Sequence, residues 1–225
     1  MSDDPTLLVV ARAPAPGRAK SRLGATVGHG AAARLAAAAL LDTLETAEAL
    51  GWPLVVAMTG ELGDADRTEE IAAVCARHRI VAQRGEDFAS RLIAAHHDAD
   101  AGRGVVQIGM DTPQVSVDDL RRAAAPLEDH DAALGPAEDG GWWVLGVREP
   151  GWTRCLTEVT MSRPDTGTQT AAALERSGAR VGRVPTLADV DTWTDALAVA
   201  ALRPGGRFAA EVSRTPGHEQ AGPRP

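Results

Sequence analysis

Four stretches of this chain carry side chains whose types and spacing suit chemistry on an anionic ligand. The densest runs from Arg12 to Arg22 and reads Arg-Ala-Pro-Ala-Pro-Gly-Arg-Ala-Lys-Ser-Arg. Arg12, Arg18, Lys20 and Arg22 stand in one short segment beside Gly17, and backbone N–H groups plus cations cradle phosphate oxygens. A solvated basic loop has the same composition. Lys20, however, is the single lysine of the chain against 22 arginines. Asn and Tyr are absent and Ile is scarce, the pattern of GC-rich coding DNA in which Arg replaces Lys. A surviving lysine therefore stands out as chemically required. The segment is not a Walker A loop, because Ala19 precedes Lys20, and no Gly-x-Gly-x-x-Gly follows a strand.

The second stretch is Val105 to Pro113, Val-Val-Gln-Ile-Gly-Met-Asp-Thr-Pro. A short β-branched run ends at residues that stop a strand, which puts Asp111 just past a strand's carboxyl end. A divalent cation such as Mg²⁺ takes one or two carboxylates plus substrate phosphates. A turn aspartate would occupy the same position. The third is Asp189-Val-Asp191-Thr192. Thr192 with Asp195 fits a capping box, but capping does not account for two acids flanking Val190, so a metal ligand and a cap are both open. The fourth is Gly135-Pro-Ala-Glu-Asp-Gly-Gly-Trp-Trp. Asp139 is placed either as a base that activates an acceptor or as part of an ordinary hairpin turn.

The elements that must position these residues are legible from pattern. Thr6 to Ala11 reads as a buried strand, followed by the loop Arg12–Arg22 with two prolines and a glycine at its start. Ala31 to Leu50 reads as a long helix with a leucine stripe, and Gly51 as its C-cap. Strands are expected at Leu54–Met58, Ile80–Gln83 and Val105–Gly109, with helices at Arg67–Ala76, Phe88–His97 and Ser116–Ala125. After that the alternation changes. Ala132–Pro136 and Trp142–Val147, joined through Gly140-Gly141, read as an antiparallel insertion. A helix at Thr170–Ser177, a strand at Arg180–Val184 and a helix at Trp193–Leu202 complete the domain. These elements predict an α/β, three-layer α/β/α sandwich with a mostly parallel mixed sheet over residues 1–202. Right-handed crossovers would bring Arg12–Arg22, Gln83–Asp87 and Asp111 to one edge of that sheet, where open α/β folds bind ligands. Residues 203–225, rich in Pro, Gly and Arg, are expected to form a disordered tail.

Composition removes several classes. A formal charge of −8 argues against nucleic acid as partner. No apolar run approaches the roughly 20 residues of a membrane span, and the acidic start Met1-Ser2-Asp3-Asp4 lacks a secretory core, so a cytoplasmic location is expected. Cys75 and Cys155 are isolated and give neither a disulfide framework nor zinc spacing. His96 and His97 are adjacent and project to different sides of a helix, which excludes an i, i+4 metal pair. Asp64-Ala-Asp66 and Asp98-Ala-Asp100 match a bare D-x-D but follow no apolar strand.

Pro16-Gly-Arg-Ala-Lys-Ser-Arg-Leu23, Gln83-Arg-Gly-Glu-Asp-Phe-Ala-Ser-Arg-Leu92, Ile108-Gly-Met-Asp-Thr-Pro113, Gly135-Pro-Ala-Glu-Asp-Gly-Gly141 and Asp189-Val-Asp-Thr192 occur in that order. Together they resemble a bacterial glycosyltransferase family of the GT-A (nucleotide-diphospho-sugar transferase) superfamily, some members of which carry arsenosugar-biosynthesis or radical-SAM-associated names. The family looks like a relative of phospholactate guanylyltransferase. The resemblance spans about Leu7 to Leu202. It implies that Lys20 and Arg22 hold nucleotide phosphates, in the loop where Arg12, Gly17 and Arg18 are expected to bind beside them, and that Gln83 to Gly85 lie near base or ribose. It also implies that Asp111 binds Mg²⁺ or Mn²⁺, with Asp191 as second metal ligand. The chain departs from the nucleotidyltransferases in lacking their Gly-rich start, and from standard glycosyltransferases in lacking a strict D-x-D at the fourth strand.

The implied activity is a metal-dependent transfer from a nucleotide-activated donor, foremost a nucleotide-sugar, to a small-molecule acceptor. Lys20, Arg22, Asp111 and Asp139 would be the reacting groups. A guanylyl- or cytidylyltransferase acting on a phosphorylated small molecule is the alternative. A non-catalytic nucleotide-binding module is a third. Oligomeric state is not encoded in any of these motifs.

Overall fold

The structure is a computed structural model that describes residues 4–18 and 20–216. Seven strands form one sheet: β1 (Thr6–Arg12), β2 (Leu54–Thr59), β3 (Arg79–Ala82), β4 (Val105–Gly109), β5 (Ala132–Pro136), β6 (Trp142–Val147) and β7 (Val181–Arg183). Their order is β3-β2-β1-β4-β6-β5-β7. Every pairing is parallel except those of β6, which runs against both β4 and β5. The glycine turn after β5 returns the chain as β6, which inserts between β4 and β5.

β1 and β4 are apolar on both faces because both faces are covered. On one side, Leu7, Val9, Val56, Val106 and Ile108 pack against α2 (His29–Leu50), α3 (Thr68–Cys75) and α5 (Val117–Ala124). On the other, Leu8, Val10, Val105, Leu145 and Val147 meet α4 (Phe88–Ala99), the 3-10 segment Pro150–Glu158 and α6 (Thr166–Arg176). The alternation along each strand sends alternate side chains to the two layers. This is the three-layer α/β/α sandwich with a mostly parallel mixed sheet that the pattern predicts.

The long helix α2 is buried on nearly its whole circumference, which is why alanine fills it instead of a single narrow stripe. Its outer face carries a third cluster built from Leu23 on α1 (Ser21–Val27), Val190, Val199 on α7 (Trp193–Leu202), and Phe208 and Val212 on α8 (Arg207–Arg214). This cluster seats α1 and the Asp189–Asp191 segment beside the sheet edge.

Two expectations change, and one segment gains an assignment. The basic segment does not stay a loop to Arg22. It ends at Lys20, the N-cap of α1, and Arg22 lies on that helix. The sequence offered no capping side chain to mark this start, and α1 has none. The segment 150–158, unassigned in sequence, is a run of 3-10 turns. Residues 203–214 are not a disordered tail. Asp42, buried within α2, accepts hydrogen bonds from the backbone N–H of Arg207 (3.0 Å) and Phe208 (2.9 Å) at the start of α8. Glu211 is held by Arg34 (2.8 Å) and Arg67 (3.3 Å). Composition hid a helix that depends on one distant carboxylate to satisfy its first N–H groups. The end of the expected tail, 217–225, lies outside the described residues.

Candidate functional site

The carboxyl ends of β1, β2 and β4 share one edge, and a cavity of about 600 Å³ opens there. Lys20 is the centre of it. Its backbone is left-handed (φ 52°, ψ 53°), an uncommon conformation for a non-glycine residue. The side chain is nearly buried, and its Nζ lies 3.0 Å from Asp111 Oδ2 and 3.9 Å from Asp191 Oδ1. It also donates to the carbonyl of Val190. Arg22 Nη1 reaches Asp191 Oδ2 at 2.8 Å. The Val190 N–H donates to the Asp111 carbonyl at 3.1 Å, so the segment from Asp189 to Asp191 is laced to the end of β4 by main chain as well as by charge.

Val190 explains how two acids of one short segment reach the cavity. Its side chain is buried in the outer cluster on α2, and the residues on either side project the other way. The capping box is present too. Asp195 accepts from Thr192 N–H at 2.7 Å and from Asp191 N–H at 3.2 Å, which leaves the Asp191 carboxylate for Lys20 and Arg22. The two local readings of this motif were not exclusive.

Asp139 and Asp189 complete the acidic side. Asp139 Oδ1 accepts from Gly141 N–H at 2.7 Å, a local turn bond, yet the residue lines the cavity. The Asp189 carboxyl is pushed up to about 6, first by burial and then by the negative charge of Asp139, with Asp191 and Asp111 adding and Lys20 opposing. Four carboxylates thus line the cavity around one lysine. Among the described residues, no group of three or more His, Cys, Asp and Glu side chains is arranged to hold a metal ion by itself. The donor set still fits a hard divalent cation that shares phosphate oxygens, because Asp111 and Asp191 already face one positive charge together.

The other residues singled out in sequence divide. Arg12 and Arg18 line the cavity, and Arg12 Nη1 donates to the Arg18 carbonyl at 3.3 Å. Gln83 lines it as well, but its amide N–H groups go to the carbonyls of Ala11 (2.8 Å) and Ala57 (2.9 Å) and so tie the ends of β1 and β2 together. Gly17 and Gly85 are not in the lining. Gly85 is required locally: at φ 138° an added Cβ would lie 2.9 Å from the backbone of Ser90 and Arg91 at the start of α4.

Sequence reasoning missed Gln107, Arg91 and Arg163 as lining residues. Gln107 had a signal, since it is polar in the middle of an apolar strand. It is buried, and its Oε1 lies 3.2 Å from Nε2 of His96, which is wholly buried on α4. Burial holds the His96 imidazole down at about 4. Its Nδ1 has no partner among the described residues. The tautomer with the proton on Nε2 leaves only a bare lone pair at Nδ1, not an orphaned N–H, so Nε2–H donates to Gln107.

The chain belongs to the bacterial family described as "Uncharacterized protein conserved in bacteria (DUF2064)". The match runs from residue 40 to residue 163, more than half of the chain, and includes Gln83, Asp111 and Asp139. No curated protein matches it. Among solved structures, this family member is similar to a protein from Desulfovibrio desulfuricans G20 provisionally named a nucleotide-diphospho-sugar transferase. The identity is 28%, the TM-score 0.83, and the likeness covers 95% of each chain. It is also similar in fold to 4-diphosphocytidyl-2C-methyl-D-erythritol synthase from Anaerococcus prevotii DSM 20548 (10% identity, TM-score 0.58, covering 89% of this chain and 98% of that one). A third likeness is to the Rv0371C protein of Mycobacterium tuberculosis H37Rv, solved in complex with manganese (22% identity, TM-score 0.52, covering 87% and 98%). The fold is that of the nucleotide-diphospho-sugar transferases, shared with nucleotidyltransferases. Among the described residues, no helix is long and apolar enough to cross a membrane.

Proposed function

We propose that this protein is a metal-dependent transferase that uses a nucleotide-activated donor, foremost a nucleotide-sugar, and a small-molecule acceptor. One observation carries the reading: Lys20, Arg22, Asp111 and Asp191, drawn from three distant parts of the chain, converge on one cavity at the sheet's carboxyl edge. The likeness to the Desulfovibrio protein supports the nucleotide-sugar donor. Fold alone would not, since one fold hosts many activities.

In this reading Asp111 and Asp191 would hold Mg²⁺ or Mn²⁺. The manganese complex of the mycobacterial fold neighbour supports such a site. When bound, the ion supplies charge to offset the phosphates of donor and leaving group. Lys20 and Arg22, with Arg12 and Arg18 beside them, hold phosphate oxygens and neutralise the charge that develops as the bond to the donor phosphate breaks. Asp139 stands in the lining as the group that takes the acceptor's proton.

A nucleotidyl transfer with pyrophosphate leaving is the rival, favoured by the likeness to the cytidyl synthase. The test is a thermal-shift panel of nucleoside triphosphates, diphosphates and nucleotide-sugars, each with and without Mg²⁺ or Mn²⁺. A ligand that binds only the native state raises its melting temperature by mass action. The proposal expects the largest cation-dependent shift with a nucleotide-sugar. Acceptor-dependent release of pyrophosphate from a triphosphate would select the rival. No shift with any nucleotide would overturn both.

A further inference from the structure

The cavity has a second side that the proposed donor chemistry does not use. It faces α4 and α6 and is walled by Trp142, Phe88, Arg91 and Arg163, with Gln107 in its floor. Asp111, Asp189 and Asp191 come from the segments after β4 and before α7, whereas Asp139 borders this wall. Neither Arg91 nor Arg163 has a carboxylate oxygen within 4 Å among the described residues, although Asp87 one turn away feels the Arg91 charge; Lys20 and Arg22 are both paired, while Arg12 and Arg18 are not. Arg91 spends its Nε on the Gly85 carbonyl at 3.1 Å, which aims the rest of its guanidinium.

The loop that carries Arg163 is built, not loose. Its Thr166 hydroxyl accepts from Arg163 N–H (2.9 Å) and donates to the Thr160 carbonyl (2.9 Å), and Thr160 N–H donates to Gln169 (3.0 Å). Ser162 is held left-handed at φ 60°. The whole loop is pressed onto the Gly140-Gly141 turn. A Cβ on Gly140 would sit 1.7 Å from the Pro164 carbonyl oxygen, and one on Gly167 would sit 2.3 Å from the Gly141 oxygen. The Gly167 N–H donates to the Gly140 carbonyl at 2.8 Å. Glycine at these places permits the contact that fixes Arg163 next to the turn bearing Asp139. A strained serine in an otherwise bonded loop is the kind of backbone that functional sites retain.

Gln107 adds a neutral donor. Because His96 Nε2–H takes the Gln107 Oε1, the Gln107 amide N–H groups, which have no partner among the described residues, are left to the cavity.

We infer that this side of the cavity is the acceptor subsite and that it takes an acceptor bearing a carboxylate or phosphate, held by Arg91 and Arg163 against the Trp142 wall with Gln107 bonding a neutral oxygen. Planar guanidinium forks match both anions. The inference rests on the transferase reading for the word acceptor, but its anion site stands on its own geometry.

The test is calorimetric titration of the full chain with inorganic phosphate, for the wild type, Lys20→Met, and the double variant Arg91→Gln/Arg163→Gln, with far-UV circular dichroism to show that each is folded. Two classes of site are expected in the wild type. Lys20→Met should keep one of them within about twofold. The double variant should weaken that same class by about tenfold or more, the scale of losing charge-assisted hydrogen bonds. Phosphate binding by the double variant that matches the wild type overturns the inference. So does loss of all phosphate binding in Lys20→Met. If Lys20→Met changes nothing and the double variant loses its site, the subsite stands and the proposed donor site fails. Loss of nucleotide binding in the double variant assigns both arginines to the donor and overturns the acceptor subsite.

Discussion

The two sides of the cavity differ in how their charges are answered. On the side at the end of β4, Asp111, Asp139, Asp189 and Asp191 crowd one lysine, and Lys20 with Arg22 offsets part of that charge. On the side under α4 and α6, Arg91 and Arg163 line the cavity with no ion pair within 4 Å among the described residues, Asp87 being the acid that feels Arg91, and the polar floor is a neutral glutamine set by a neutral histidine. The first side is tied together by internal ion pairs and by the Val190–Asp111 main-chain bond, at the cost of like charges held close. The second is open to a negative charge that a ligand must bring. Arg163 is exposed and Arg91 half-buried, so their attraction for an anion strengthens as the ligand itself displaces water from them.

The largest effect expected from breaking this contrast is at Asp111. Asp111→Ala should leave the far-UV spectrum unchanged but abolish cation-dependent stabilisation by nucleotide and lower transfer roughly a hundredfold or more. Unaltered metal dependence would remove Asp111 from the site. Lys20→Met strips the acidic side of its internal cation. Nucleotide affinity should fall by about tenfold or more, and chemical denaturation at pH 7 should show a loss on the order of 1 kcal/mol, because Asp111 loses its ion pair while Arg22 still holds Asp191 and solvent screens both carboxylates. Full stability in that variant would mean that the lysine does not offset their repulsion.

Arg163→Gln probes the other side. Once an acceptor is in hand, its KM should rise about tenfold while kcat changes little, the signature of lost binding without lost chemistry. A fall in kcat with KM unchanged would move Arg163 into the chemical step.

His96 sharpens the contrast through pH. Its folded pKa, about 4, is depressed from the ordinary 6.5. Between those values the unfolded chain binds a proton that the folded protein refuses. Stability is therefore complete above pH 6.5 and declines as pH falls toward 4, by on the order of 3 kcal/mol in total. His96→Gln should flatten that decline in denaturation midpoints measured from pH 7 to pH 4.5. Identical curves would show that His96 titrates freely. The smallest effect is expected from Asp189→Asn in metal-free protein at pH 7. Removing one of four like charges should raise the melting temperature slightly, whereas a lower melting temperature would mean that the carboxylate has a structural partner.

Much of the fold was legible because its signals are local. β1, β2 and β4 are short apolar runs closed by turn residues, and Ser116 and Thr192 announce their helices with capping boxes that the structure contains. What sequence obscured were elements whose stability is borrowed. The helix α8 is short and framed by Gly, Pro and Arg, and it exists because Asp42 inside α2 meets its first N–H groups. The start of α1 has no capping side chain, so nothing local told Lys20 from the loop before it. Arg163 carried no motif. Its place depends on a loop docking against two glycines that alone looked like a plain hairpin turn.

Sequence by itself determined the layers, the antiparallel insertion and the residue types available at the sheet's edge, because periodicity, capping and turn chemistry act over a few residues. Lys20 as the one lysine was conspicuous from composition alone. Only the tertiary structure decided that its ammonium stands between Asp111 and Asp191 and that Arg91 and Arg163 line the same cavity. Those distances follow from strand order and from the burial of Val190 on α2, and contacts between residues so far apart along the chain leave no local trace.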